Sequence, residues 1–219
     1  MNNICVGLDI GTCNVRVVIG EYNENDKFEI IGIGEASTEQ GALRKGVIVN
    51  IESAMRSIKE AFENAQNMAG CDVLSCFVGI GGNQVESQNS KGVVAIPSKN
   101  KEPREINAQD VERVIECARS IQVPYDKQIL HVIPQKYIVD DEQSTKNPIN
   151  IIGLRLGVET HIITAMKTTM QGIFTCAART GYQVDGVMVK TLAASQTVLT
   201  EEEKNIGSLL IDLGGGTTD

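Results

Sequence analysis

The chain has 219 residues, 42% of them hydrophobic, and its 28 acidic and 20 basic residues give a net charge of −8. A chain of this length can bury a sizeable core and hold one or two domains. The acidic balance argues against a nucleic-acid binder and against electrostatic adhesion to anionic membranes, and no apolar run approaches the roughly 20 residues that a spanning helix needs.

The amino-terminal segment predicts three strands followed by a helix. The apolar runs ICVGLDIG, NVRVVIGEY and FEIIGIGEAS are separated by short turns, which suggests an antiparallel meander. Asn50 can cap the next helix, whose apolar residues recur at helical spacing until Gly70 ends it. The run VLSCFVGIGG then predicts a further strand.

A change in amino-acid composition after Gly82 predicts an inserted subdomain. The segment VESQNSKGVVAIPSKNKEPREIN is polar, with only short apolar patches. A helix is expected over AQDVERVIECARSI, where Asn107 and Asp110 resemble a capping box. A strand over QILHVIPQKYIVD, a turn-rich excursion and the long β-like runs of IIGLRLGVETHIITAMK complete this region.

The tail returns to an alternating pattern of helices and strands, which favours a layered α/β fold. The segment TTMQGIFTCAARTGY predicts a helix that ends at Gly181, and YQVDGVMVK predicts a strand. We then expect one helix over TLAASQTVLTEE, followed by a strand and a tight turn in IGSLLIDLGGGTTD.

Two stretches near the ends of the chain repeat one pattern. VGLDIGTCNV and LLIDLGGGTTD both place an Asp two residues before a glycine turn, so that Asp9 corresponds to Asp212 and Gly11 to Gly214. Such turns leave backbone N–H groups accessible to an anion. A carboxylate beside them is compatible with phosphate if a divalent cation lies between the two. We therefore expect two turns that clamp a polyphosphate with Mg²⁺.

The motifs are neither a Walker A loop nor a dinucleotide-binding fingerprint, because GKS, GKT and a helix-opening GxGxxG are absent from the sequence. Instead, LDIGT and IDLGGGT resemble the two phosphate motifs of the actin-like ATPase superfamily. Within that superfamily the chain resembles the bacterial cell-division FtsA family. The segments that carry this resemblance are LRKGVIVNIE, ILHVIPQKYIVD, NPINIIGLRL and LAASQTVLTEEEKNIG.

The resemblance implies an α/β fold: an actin-like (ribonuclease-H-like) lobe with an inserted small α+β subdomain of the SHS2 type and a truncated second lobe. Residues 1–83 and 162–190 would form subdomain 1A. Residues 84–161 would form the inserted subdomain 1C, and residues 191–219 the incomplete start of subdomain 2A.

The resemblance also implies that the site holds ATP with Mg²⁺. Asp9 and Asp212 would order Mg²⁺ through its water molecules. The residues expected to approach the phosphates are Gly11, Thr12, Cys13 and Asn14 from the first turn, and Gly214, Gly215, Gly216 and Thr217 from the second.

No catalytic residue is assigned. The position that carries a water-positioning acid in MreB falls on Lys190, and a cation there cannot act as the general base. We therefore expect at most a slow ATPase that works mainly as a nucleotide-dependent scaffold. The alternative interpretation of Lys190 is a solvated lysine at the start of a helix.

The resemblance implies a protein that polymerises and anchors filaments of the tubulin-like FtsZ to the cytoplasmic membrane at the septum. This chain would be a fragment without the main FtsZ-binding subdomain and without the C-terminal membrane helix, and we expect it to bind nucleotide weakly or not at all by itself. Two alternatives stay open. One is a PilM-like platform protein of pilus assembly, and the other is a sugar-kinase-like phosphotransferase, for which no sugar-binding or catalytic acid motif is evident.

The cellular setting is inferred from the cysteines and the amino terminus. The six cysteines are scattered without a CxxC pair, which is typical of a reducing compartment. The start MNNICVGLDIG has no basic region and no cleavage site, so we expect no signal peptide. We expect a cytoplasmic protein, peripheral on the inner face of the membrane at the division site, with FtsZ, other division proteins and its own copies as partners and no nucleic acid.

Overall fold

The computed structural model describes residues 4–23, 25, 27–97 and 102–219. The chain divides into two compact units. The first unit comprises Met1–Val85 and Met166–Asp219, and the second comprises Glu86–Ala165. None of the helices in the described ranges combines the length and the hydropathy of a membrane span.

The described residues form thirteen strands and five helices. In chain order the strands are β1 (Ile4–Ile10), β2 (Asn14–Tyr22), β3 (Phe28–Ser37), β4 (Leu43–Arg44), β5 (Val47–Ile48), β6 (Ser75–Ile80), β7 (Val85–Ala95), β8 (Arg104–Glu105), β9 (Lys127–Val139), β10 (Gln143–Thr145), β11 (Ile152–Gly153), β12 (Arg155–Met166) and β13 (Gln183–Val189). The helices are α1 (Ile51–Ala69), α2 (Ala108–Arg119), α3 (Lys167–Thr180), α4 (Lys190–Val198) and α5 (Glu201–Ile206).

The first unit is built on a five-stranded sheet in the order β13-β6-β1-β2-β3. Strands β1, β2 and β3 form the predicted antiparallel meander, which is confirmed. Strand β6 pairs in parallel with β1, and β13 pairs in parallel with β6. Because these three strands run in the same direction, their carboxyl ends meet at one edge of the sheet. That edge receives Asp9 from β1, Gly81 after β6 and Lys190 after β13.

Helix α1 begins and ends where the sequence predicts. The Asn50 side chain accepts a hydrogen bond from Ser53 N at 3.1 Å, and Gly70 ends the helix in the left-handed conformation with φ 68°. The helix packs on β2 and β3 with a buried apolar stripe. It approaches β3 so closely that a Cβ on Gly34 would clash with Ala61 O and lie 2.5 Å from Ala65 N.

The second unit combines a four-stranded sheet, in the order β10-β9-β12-β7, with helix α2. The predicted capping box of α2 is confirmed: Asp110 N donates to Asn107 Oδ1 at 3.0 Å, and Asn107 N donates to Asp110 Oδ2 at 3.1 Å. Strand β7 runs through the polar segment to which the sequence analysis assigned no element, and most of its side chains face solvent. The core residues are Ile96, Ile106, Val114, Ala118, Tyr137, Val139, Leu156 and Val158.

Two predictions for the tail are wrong. The single helix expected over TLAASQTVLTEE is two helices, α4 and α5, because Thr200 caps α5 in a capping box with Glu203. The strand expected before the glycine turn does not form, and Leu213 makes only an isolated bridge to Thr218. A strand needs a neighbour for its backbone groups. No described strand lies beside this segment, in which Leu209 is 84% exposed.

Candidate functional site

The two glycine turns singled out in the sequence share one backbone geometry. Gly11 N donates to Asn14 O at 3.0 Å in the first turn, and Gly214 N donates to Thr217 O at 2.9 Å in the second. The first turn joins β1 to β2, and the second closes a small hairpin at the bridge between Leu213 and Thr218. The repeat in the sequence is therefore also a repeat of structure.

The two turns touch each other. A Cβ added to Gly216 would lie 2.5 Å from Thr12 Oγ1, and a Cβ added to Gly215 would clash with Cys13 Sγ. Any residue larger than glycine at these two positions would therefore push the turns apart. This close approach gives a physical reason for consecutive glycines that the sequence pattern alone did not supply.

The tips of the turns carry backbone donors that the protein itself leaves unused. Within the described ranges, the N–H groups of Thr12, Cys13, Gly215 and Gly216 donate no hydrogen bond to another residue. All four residues line one cavity, and backbone N–H groups left unpaired on neighbouring turns are donors of the kind that bind anions. The Thr12 hydroxyl adds a short donor beside them.

A cavity of about 310 Å³ opens beside the turns at the carboxyl edge of the five-stranded sheet. Other parts of its wall come from Gly81 after β6 and from Leu43 and Ile48 in the β4–β5 hairpin. All the residues that the sequence assigns to phosphate or Mg²⁺ line this cavity: Asp9, Gly11, Thr12, Cys13, Asn14, Asp212, Gly214, Gly215, Gly216 and Thr217.

Lys190 also enters this cavity, so its interpretation as a solvated lysine at a helix start is wrong. Its Nζ atom lies 2.5 Å from Asp9 Oδ1 and donates a hydrogen bond to Ile10 O at 2.9 Å. Asp9 Oδ1 is closed off from solvent, and its partner among the described residues is the ammonium group of Lys190, with which it forms an ion pair.

Two glycines of β6 and its following turn make room for the Lys190 side chain. A Cβ on Gly79 would lie 3.0 Å from Lys190 Cγ, and a Cβ on Gly81 would lie 3.6 Å from Lys190 Cδ. The side chain is 25% exposed, so most of its stem is covered by the sheet edge. The position of the ammonium group is thus fixed by the shape of the surrounding backbone as well as by charge.

Asp219 is a site residue that sequence reasoning missed. Its Oδ1 accepts a hydrogen bond from Gly82 N at 3.0 Å, and its Oδ2 accepts one from Thr217 Oγ1 at 2.9 Å. Its backbone also exchanges two hydrogen bonds with Asp212, at 2.7 and 2.9 Å. Asp219 therefore ties the second turn to the end of β6. In the sequence, the signal for this role is the position of Asp219, an acidic residue two places after Thr217.

The carboxylates of the cavity do not form a metal site by themselves. Across the part of the chain that the structure describes, no group of three or more His, Cys, Asp and Glu side chains could hold a metal ion. A divalent cation near Asp9 would take most of its ligands from phosphate and water, as Mg²⁺ commonly does. The donors present therefore fit an ion held through water, in competition with Lys190 for Asp9.

Comparison with known proteins identifies the relatives of the chain. Residues 82–164 match the family model described as the SHS2 domain inserted in FTSA. The cell division protein FtsA of Borreliella burgdorferi is 49% identical over 217 residues, which are 99% of this chain and 51% of that protein. FtsA of Pseudomonas aeruginosa is 42% identical, with 98% of this chain and 50% of the relative covered. The chain spans about half the length of the curated relatives it matches.

The fold is shared with a solved structure. The PilM-PilN type IV pilus biogenesis complex matches with a TM-score of 0.59 and 16% identity, over 88% of this chain and 49% of the other. At this identity the likeness concerns the fold alone. Together with the family match, it confirms the expected fold class of an actin-like lobe with an inserted SHS2-type subdomain. The sequence relatives confirm the resemblance to FtsA.

Proposed function

We propose that this chain, a relative of the FtsA cell-division proteins along its whole length, is the amino-terminal half of an ATP-binding, actin-like scaffold of cell division. The observation that carries the proposal is the pair of matched glycine turns, with four unused backbone donors, at the rim of one cavity. The process in which the scaffold works, cell division, is inferred from the FtsA relatives.

In this proposal the two turns hold the phosphates of ATP. The N–H groups of Thr12 and Cys13 donate to phosphate oxygens from one side, and those of Gly215 and Gly216 donate from the other. Asp9 and Asp212 orient the water molecules around Mg²⁺. The bound Mg²⁺ supplies neutralisation of the phosphate charge.

We propose that hydrolysis is slow. The residue that enters the cavity at the start of α4 is Lys190, and its ammonium group has no free lone pair with which to accept a proton from water. Without a general base at this position, the nucleotide stays bound and is hydrolysed only slowly. The nucleotide then works as a structural ligand that changes the state of the scaffold.

The whole protein, in this proposal, polymerises and anchors FtsZ filaments to the inner face of the cytoplasmic membrane at the septum. The chain covers about half of its FtsA relatives. We therefore place the main FtsZ-binding surface and the membrane helix outside residues 1–219. The support for these partners comes from the family resemblance.

A PilM-like platform of pilus assembly is the alternative function. The PilM-PilN structure shares the fold at 16% identity, whereas the FtsA proteins share 49 to 34% identity over nearly the whole chain. The sequence relationship therefore favours the division scaffold.

Two measurements on the full-length protein test the proposal. Isothermal titration calorimetry is expected to show micromolar binding of ATP in the presence of Mg²⁺, and weaker binding by residues 1–219 alone. Sedimentation with anionic vesicles is expected to carry FtsZ filaments into the pellet only when the protein and ATP are both present. Full-length protein that binds no ATP, or that leaves FtsZ in the supernatant, would overturn the division scaffold.

A further inference from the structure

The Lys190 ammonium group is a cation that the protein itself supplies to the candidate site. It reaches Asp9 Oδ1 at 2.5 Å, and its stem lies over positions where Gly79 and Gly81 carry no Cβ. An ammonium has three N–H donors, and the hydrogen bond to Ile10 O fixes its direction further. The backbone at Ile10, Gly79 and Gly81 therefore positions the Lys190 side chain beside Asp9.

The charges that line the cavity show why this lysine matters. Three acidic residues, Asp9, Asp212 and Asp219, line the cavity together with Lys190 and Arg16. Arg16 is paired with Glu35 at 3.3 Å, and that pair is about half exposed. Among the described residues of the wall, Lys190 is therefore the cation that is paired with a carboxylate of the site.

Asp9 would repel a polyphosphate unless its charge is cancelled. The carboxyl oxygen that Lys190 contacts is closed off from solvent, whereas the Asp9 side chain as a whole is 43% exposed, so water screens the carboxylate from one side only. Mg²⁺ held through its water molecules could also cancel this charge, but it must first bind. The Lys190 ammonium group is already in position beside the carboxylate.

We propose that Lys190 is a built-in counter-ion of Asp9, which allows the site to bind the polyphosphate of its nucleotide without a divalent cation. The proposal rests on the proposed nucleotide function. Lys190 acts through Asp9 and is a positioning residue: it removes a repulsion and makes no contribution as an acid or base. Mg²⁺ and Lys190 are then alternative partners of the same carboxylate.

The test compares nucleotide affinity with and without Mg²⁺ in the full-length protein. A fluorescent ATP analogue is titrated in excess MgCl₂ and in excess EDTA. For wild type we expect the Kd in EDTA to exceed the Kd in Mg²⁺ by less than about threefold; for Lys190→Met, which keeps an unbranched stem, we expect at least about tenfold. Lys190→Arg, which keeps the charge, is expected to restore the wild-type ratio.

A second pair of variants separates the proposed role from direct contact with phosphate. In the Asp9→Asn background no charge needs cancelling, so adding Lys190→Met is expected to change the Kd in EDTA by less than about threefold. If Lys190→Met weakens binding in EDTA equally in both backgrounds, Lys190 contacts the phosphate directly and the proposal is overturned.

The remaining outcomes distinguish this inference from the proposed function. If the wild-type protein needs Mg²⁺ as strongly as the Lys190→Met variant does, the inference is overturned and the proposed nucleotide binding stands. Wild-type protein that binds the analogue under neither condition overturns both. Thermal melting followed by circular dichroism identifies any variant that fails to fold, and Lys190→Gln then replaces Lys190→Met as the neutral variant.

Discussion

The backbone of Gly215 lies directly against the thiol of Cys13, although the two residues come from opposite ends of the chain. This contact joins the two turns whose tip amides we assign to phosphate. Cys13 is nevertheless exposed on the cavity side. A phosphate group bound by these amides would stand beside the sulfur. The thiol is therefore a natural reporter of the site.

We predict that ATP with Mg²⁺ protects Cys13 from alkylation in the full-length protein. Among the cysteines of this chain, Cys13 and Cys117 are exposed and are expected to react first with a maleimide. Cys76 reacts slowly because burial raises its pKa to about 11. Nucleotide is expected to slow Cys13 at least about fivefold and to leave Cys117, which lies in the second unit, unchanged. Mass spectrometry of labelled peptides measures both rates, and equal labelling of Cys13 with and without ATP would contradict the site.

We predict that Gly215→Ala weakens ATP binding at least about tenfold, because the added Cβ clashes with Cys13 Sγ and separates the turns. The double variant with Cys13→Ala is expected to recover most of the affinity, since the new Cβ would lie 3.5 Å from Cys13 Cβ, an ordinary contact. Gly172→Ala, where the Cβ meets nothing within 4 Å, is the control. A loss in Gly215→Ala that Cys13→Ala does not relieve would show that the clash is not the cause.

We predict that Gly34→Ala lowers the free energy of unfolding of the first unit by about 2 to 4 kcal/mol. The added Cβ would lie 2.5 Å from Ala65 N and would clash with Ala61 O, so helix α1 would have to move away from β3. Gly7→Ala on β1 is the matched control, because its Cβ meets nothing within 4 Å. Urea denaturation followed by circular dichroism measures both, and equal stabilities would contradict the close packing.

We predict a pH-dependent loss of stability when Asp110 is changed to Asn. Burial alone raises the pKa of Asp110, but hydrogen bonds from Arg104 at 2.8 and 2.9 Å and from Asn107 N outweigh this effect and hold the pKa below its ordinary value. A lowered pKa in the folded state means that the ionised carboxylate stabilises the fold above the unfolded pKa of about 3.9. This contribution is lost as the pH falls through the folded pKa.

The expected cost of Asp110→Asn is about 2 to 3 kcal/mol at pH 7, somewhat less than for a fully buried ion pair because the arginines reach solvent. The difference from wild type is expected to shrink as the pH falls below about 4. Glu116→Gln on the same helix is the control, since its pair with Arg119 is exposed and is worth less than about 0.5 kcal/mol. A cost for Asp110→Asn that stays constant from pH 7 to pH 3 would argue against the charged pair as its source.

The elements that the sequence predicted correctly are those set by local chemistry. Asn50 and Gly70 bound helix α1 through contacts within a few residues, and the two glycine turns follow from short motifs. The strand expected before Gly214 failed because a strand depends on a neighbour that no local pattern reveals. Likewise, the break at Thr200 was hidden by helix-forming residues on both sides, although its capping box was visible in the sequence.

The candidate site was predicted in its parts, but one central interaction was not. Both turns and Asp9 were identified from their motifs, whereas the ion pair between Lys190 and Asp9 was not expected. This pair requires the parallel alignment of β1, β6 and β13, which brings distant segments to one edge of the sheet. Helical spacing and composition carry no information about that alignment, so only the structure reveals the partner of Lys190.

The two turns are also separated in time during protein synthesis. Translation at 5–20 residues per second delivers Gly214 about 10 to 40 s after Gly11. The β1–β2–β3 meander, whose pairings are local, can form during that interval. The second half of the clamp does not yet exist at that stage. If the two turns hold nucleotide as proposed, a nascent chain cannot use it to guide the folding of its first strands. Nucleotide would then stabilise this protein only once nearly all of the described chain has left the ribosome.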